Sequence, residues 1–203
     1  MDRRSHPSRA NLLLLAALTL IMLTALMFGL ASSSAMTGEA RERTSAYIGN
    51  YLEVLPALEP DQAGEFQRAL AAGGALWLLL VLAGLSRWGA PLVAAVLFAK
   101  GFTLGYAISF LLGYQQGKGA LIVILALTPH HLLLLPLLLA MSADALVAGL
   151  WFTRRRLARR RLATADYGGW ARRAGVYGGL MIAAALIQGY VSPLILHLLF
   201  LLR

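Results

Sequence analysis

Lys100, the adjacent His130 and His131, Asp144 and Gln188 are polar or ionisable side chains set in stretches otherwise apolar enough to cross a membrane. Such groups are costly at bilayer depth, so they face protein or water and mark ion pathways, ligand sites or helix contacts. Two histidines with an acid raise the question of a zinc hydrolase, which needs three ligands and a general base; His197 is the one further imidazole near the membrane segments. Neighbouring positions on a helix point about 100° apart, so His130 and His131 make a poor pair for one ion. Neither H-E-x-x-H nor G-x-S-x-G occurs, and there is no phosphate-cradling glycine loop. With no cysteine, thiolate sites and disulfides are excluded. The expectation is a chain that is not an enzyme, with no catalytic residue, metal or cofactor. A membrane transporter or permease subunit with a polar intramembrane site is the alternative, because polar groups and broken helices near the midplane suit it. No repeat between the two halves supports that alternative.

The elements that must position these residues are helices. The 203-residue chain is 59% hydrophobic, above the roughly 45–50% of soluble domains, with a mean hydropathy of +0.70. It reads as an all-α polytopic transmembrane bundle of five spans. The net charge of +9 does not point to nucleic acid, because eight of the eighteen basic residues lie between Arg154 and Arg173, directly after a span. That is the positive-inside pattern, and it places the amino terminus in the cytoplasm and the multi-pass chain in the cell membrane.

In order, residues 1–11 form a basic cytoplasmic tail and 12–31 a first span. Leu12–Leu30 is longer than the roughly 7–15 residues of a signal-peptide core, which favours a retained span over a cleaved leader. Residues 32–69 form an extracytoplasmic helical hairpin. Tyr47, Tyr51, Leu52 and Leu55 lie on one helical face there, and Phe66 follows Pro60-Asp61, where a second short helix can open into the next span. This hairpin is too small for its own core, so it rests on the membrane domain, on a second copy in a homodimer, or on a partner. Residues 70–152 hold spans two to four and 153–173 a basic cytoplasmic segment. Residues 174–203 hold the last span, with a partial sixth crossing left open for the final ten residues.

Ala120–Phe152 is too long for one straight span of a core about 30 Å thick. Breaks are expected at Thr128-Pro129-His130-His131 and near Pro136, and again at Ser192-Pro193. Trp88 beside Arg87 suits a headgroup anchor, while Trp77 reads as ordinary packing. Gly101-x-x-x-Gly105 permits close helix approach, a weak signal in a chain with 20 glycines. Lys100 lies ~15 Å and Asp144 ~12 Å from the cytoplasmic edge by helical rise. Lys100, the Pro129-His130 break and Asp144 are thus expected at similar depths, with a buried Lys100–Asp144 ion pair.

Three runs, GLSRWGAPLVAAVLFAKGFTLGYAISFLLGYQQGKG, ILALTPHHLLLLPLLLA and IQGYVSP, resemble the stage II sporulation protein M family. The matching positions are Gly89 and Pro91; Lys100, Gly101, Phe102 and Gly105; Gly117, Lys118 and Gly119; Pro129, His130 and Pro136; and Tyr190, Val191 and Pro193. The chain departs from the pattern at His131, in place of asparagine or glycine, and at Gln188, in place of an acid. Leu134 stands where some non-sporulation relatives carry glutamate. The resemblance implies a membrane scaffold in the mother-cell membrane engulfing the forespore. It implies as partners the membrane-anchored wall hydrolases, stage II sporulation proteins D and P, whose chemistry on peptidoglycan would be theirs.

Overall fold

The computed structural model describes residues 9–40, 42–44, 46, 50, 61–114, 120, 123–157 and 164–195. Among them there is no strand, and five helices are long and apolar enough to cross a membrane. These are α1 Arg9–Ser34, α2 Gln62–Leu85, α3 Gly89–Tyr114, α4 Thr128–Leu157 and α5 Thr164–Leu186. A π turn, Val123–Leu127, leads into α4, and a second, Ile187–Val191, carries α5 into a last helical stretch at 192–195. The fold is an all-α membrane bundle with widened backbone beside Pro129 and Pro193. The residues of the open sixth crossing beyond 195, His197 included, lie outside the described residues, as does the basic tail at 1–8.

α2 begins at Gln62, before the apolar run that marks its span. Its start is set by a cap: Asp61 Oδ1 accepts from the Gly64 amide at 2.9 Å, and Glu65 in the first turn accepts from Arg68 at 2.8 Å. The Asp61 carboxylate satisfies an orphan amide, and both acids suit the positive end of the helix dipole. Asp61→Ala should therefore lower stability by about 0.5–2 kcal/mol, read as a lower melting temperature in detergent.

α2 runs antiparallel to α5, in register along its length. Phe66 meets Gly189 and Tyr190, Trp77 meets Ala174 and Gly178, and Gly84 meets Trp170. Trp77 does more than pack: its Nε1 donates to the Ala174 carbonyl at 2.8 Å, because an indole N–H away from water needs an acceptor. At the centre, Leu80, Val93, Leu97 and Leu138 are fully buried and bring α2, α3 and α4 together. Leu18 of α1 and Met181 of α5 close the cluster. In lipid these contacts act through close packing rather than through escape from water.

The closest approach is between α1 and α3, which run parallel. Gly101 and Gly105 lie against Met22, Ala25 and Leu26, and Gly29 lies against Phe102 and Tyr106. A Cβ at Gly101 would stand 2.6 Å from the Met22 carbonyl oxygen. At Gly105 it would fall on the Leu26 carbonyl oxygen, and at Gly29 on that of Phe102. The Gly101-x-x-x-Gly105 spacing is thus the seam that admits α1 to backbone contact. Along its flank the rings of Phe98, Phe102, Tyr106 and Phe110 follow one another every four residues, joined by Phe28 of α1.

Candidate functional site

The break before α4 is built from its own first turn. A π turn shifts the carbonyl ladder out of step, and at membrane depth the displaced carbonyls need donors from the protein. Thr128 Oγ1 donates to the Val123 carbonyl at 2.9 Å, and His131 Nδ1 lies 2.8 Å from the Leu127 carbonyl. Because a carbonyl only accepts, the proton sits on Nδ1, and Nε2 of the neutral ring is an acceptor. Pro129 follows just after the π turn and supplies no amide to the carbonyls behind it, which is where a widened turn is expected. His130 and His131 are both buried, and their ring centroids are 3.9 Å apart. Side-chain rotation thus brings together two rings whose positions on the helix diverge.

Pro136 does not break α4, contrary to the sequence expectation. Its neighbours Leu134, Leu137 and Leu138 are buried, and their packing keeps the segment helical through the proline. Beside these residues lies an open cleft of about 330 Å³. Leu104 and Ile108 of α3 form one wall, Val123 and Leu127 another, and Thr128, His131, Leu132, Leu135 and Pro136 of α4 the rest. Among the described residues the lining is apolar except for the Thr128 hydroxyl and the His131 imidazole.

Lys100 sits one helical turn from Leu104 on the same stripe of α3, between the buried Val96 and Leu104. It is half-buried and within electrostatic range of His131. It is also close to the middle of its span, Gly89–Gly113. Among the described residues no carboxylate pairs with it.

The expected Lys100–Asp144 pair is not formed. Asp144 faces α5, where Arg173 Nε lies 2.9 Å from its Oδ2 and the Tyr177 hydroxyl donates to the same oxygen at 2.9 Å. Arg173 and Tyr177 are four residues apart and so share a face. Asp144 stands close to Leu150 at the end of its span and Arg173 close to Gly168 at the start of the next, so the two are level near one edge of the bundle. Lys100 is deeper. The supposed convergence of Lys100, the Pro129-His130 break and Asp144 therefore separates into a mid-span cation beside a cleft and an ion pair near the bundle edge.

The other singled-out residues have structural neighbours of their own. Gln188 is half-buried within the second π turn. There the buried Gly189 fits against Phe66, and a Cβ on it would stand 2.6 Å from the Phe66 Cα. Phe66 is thus engaged within the bundle, while Tyr47, Tyr51, Leu52 and Leu55 lie outside the described residues. Arg87 stacks over the exposed Trp88 ring at 5.6 Å, a fitting pair for a headgroup level. Gly189→Leu should push α2 from α5 and lower the melting temperature. Gly175→Leu, with open space around it, should not.

The stage II sporulation protein M family model matches residues 12–193. The chain belongs to the stage II sporulation protein M family. No curated protein and no solved structure matches the chain. As a member of this family it is a sporulation-related membrane protein, and the matched stretch takes in all five described spans. Most of the residues that carried the resemblance now have positions, while Gly117, Lys118 and Gly119 lie outside the described residues. Gly89 packs against the Ala83 carbonyl in the α2–α3 turn, Gly101 and Gly105 form the α1 seam, and Pro129 and Pro193 adjoin the π turns. The Tyr190 ring meets that of Phe66 at a tilt, with centroids 6.0 Å apart. Sequence reasoning missed Gly29, Arg173 and Tyr177 as contact residues. Arg173 was counted with the basic segment, and only its four-residue spacing from Tyr177 hinted at a shared partner.

Proposed function

We propose that this stage II sporulation protein M family member is a non-enzymatic scaffold in the membrane that engulfs the forespore, where it recruits and organises membrane-anchored peptidoglycan hydrolases. The observation that carries this reading is the family match along nearly the whole chain. The roles of the matched residues support it, since Gly89, Gly101, Gly105 and Pro129 serve as backbone joints of a bundle. The wall chemistry belongs to the partners, stage II sporulation proteins D and P. The end of the bundle carrying Arg87, Arg172 and Arg173 faces the cytoplasm, by the excess of basic residues there, and residues 36–60 face outward. In the cysteine-free chain, a single cysteine at Glu42 should react with an impermeant thiol reagent in intact cells. One at Arg172 should react only after permeabilisation, and the reverse pattern would invert the topology.

Residues 37–60 supply the outer contact. Asp61 and Phe66 are excluded from it because they cap and dock α2. Exchanging 37–60 for a flexible linker, with Met36 kept because its sulfur accepts from the Tyr106 hydroxyl, should leave the melting temperature of the bundle unchanged while recovery of the hydrolases falls several-fold. Unchanged recovery would remove the outer segment from the scaffold's contact surface. A transporter is the second reading, favoured by the cleft beside Lys100 and His131. It requires that Lys100→Gln abolish flux in vesicles while hydrolase capture is unaffected.

A further inference from the structure

We propose that the cleft between α3 and α4 seats a transmembrane helix of a partner protein, and that this helix carries a carboxylate at mid-bilayer depth which pairs with Lys100. The inference rests on the scaffold reading and gives it a contact inside the bilayer. Three observations meet here. The cleft, of about 330 Å³, is open and has the exposed Leu132 among its lining residues, and its walls offer apolar surface to the side chains of an incoming helix. Lys100 stands one turn below Leu104 on the stripe that forms the α3 wall, half-buried and near mid-span. Among the described residues it has no ion-pair partner, and Asp144 is held by Arg173 and Tyr177.

The charge decides between occupants. A lipid tail fills an apolar cleft but brings nothing to an ammonium, and headgroup phosphates lie about 15 Å away, beyond half of a core about 30 Å thick. A second copy of the chain is a poor match, because among the described residues its acid within the spans away from their ends is the same Asp144, already paired and closer to the bundle edge. A carboxylate on a different helix is complementary to Lys100, and a mid-bilayer charge pair of this kind fixes both partner and register.

The test uses the full chain in its native membranes during sporulation, with a photo-crosslinking side chain at Leu132 on the cleft rim or, as a control, at exposed Leu79 of α2. The expected result is an adduct from position 132, absent from 79, to a partner's transmembrane segment that contains Asp or Glu. Its yield should fall by more than about tenfold in Lys100→Gln, persist in Lys100→Arg, and return when Lys100→Glu is combined with lysine at the partner's acid. Leu135→Trp, which fills the cleft while leaving Lys100 in place, should abolish the adduct as well, so the test survives if Lys100→Gln does not fold. Adducts to lipid alone, adducts to a second copy, or protein adducts indifferent to both Lys100→Gln and Leu135→Trp would overturn the proposal. If the hydrolases co-purify with the unaltered chain while no adduct forms at 132, the docking mode falls and the scaffold stands. If they do not co-purify, the scaffold reading itself falls.

Discussion

Gly105→Leu is expected to separate α1 from α3 and leave a chain that inserts but does not assemble its bundle. A Cβ at Gly105 coincides with the Leu26 carbonyl oxygen, so the collision is with backbone and cannot be relieved by a side-chain rotamer. Overpacking a fitted contact ordinarily costs about 1–3 kcal/mol, and a backbone-on-backbone clash belongs at or above the upper end. Combining it with Gly101→Leu, one turn away against Met22 and Ala25, removes the whole seam. Against a typical stability of about 5–15 kcal/mol, the double variant should have little folded population left. Melting in detergent and protease resistance both report this. Gly179→Leu, with nothing within reach of its Cβ, is the matched control. Equal melting of the double variant and the control would mean that α1 is not packed along α3.

Charge exchange gives the second large effect. Asp144→Arg sets a new cation against Arg173 and strips Tyr177 of its acceptor. Charge-assisted hydrogen bonds contribute about 1.5–3 kcal/mol. The loss should lie toward the lower part of that range because both side chains are partly exposed. Asp144→Arg with Arg173→Asp should recover most of the melting temperature, whereas Asp144→Lys with Lys100→Asp should recover none. The opposite pattern of rescue would restore the Lys100–Asp144 pair that the structure replaces.

These two cases show what the sequence could and could not convey. The five spans were legible because hydropathy and helical rise are local properties; where breaks were expected near Pro129 and Pro193, π turns precede the prolines and helix continues through both. The glycine spacing on α3 was visible, but its meaning depended on Gly29 and on which helix lay opposite. For Asp144 the reasoning had depth without direction: counting residues along a helix gives a level but not the neighbour it faces. Asp144 turned to α5, whose Arg173 had been assigned to the topogenic cluster. The start of α2 was hidden because hydropathy registers apolar residues, while Asp61 and Glu65 start the helix through hydrogen bonds. At Pro136 a sound local rule was overridden by the packing of its neighbours.

The functional reading divides the molecule accordingly. Most of the polar residues first suspected of chemistry complete hydrogen bonds or joints within the bundle, as His131 does for Leu127 and Asp144 for Arg173. Lys100 is the exception, and it is the residue assigned to a partner. The scaffold account is tested most directly by affinity purification of the full chain from membranes during sporulation, with the bound proteins identified by mass spectrometry. The account predicts membrane-anchored peptidoglycan hydrolases, their recovery reduced by exchange of residues 37–60 and by Lys100→Gln. Recovery of a transport ATPase in their place, with no wall hydrolase present, would contradict it.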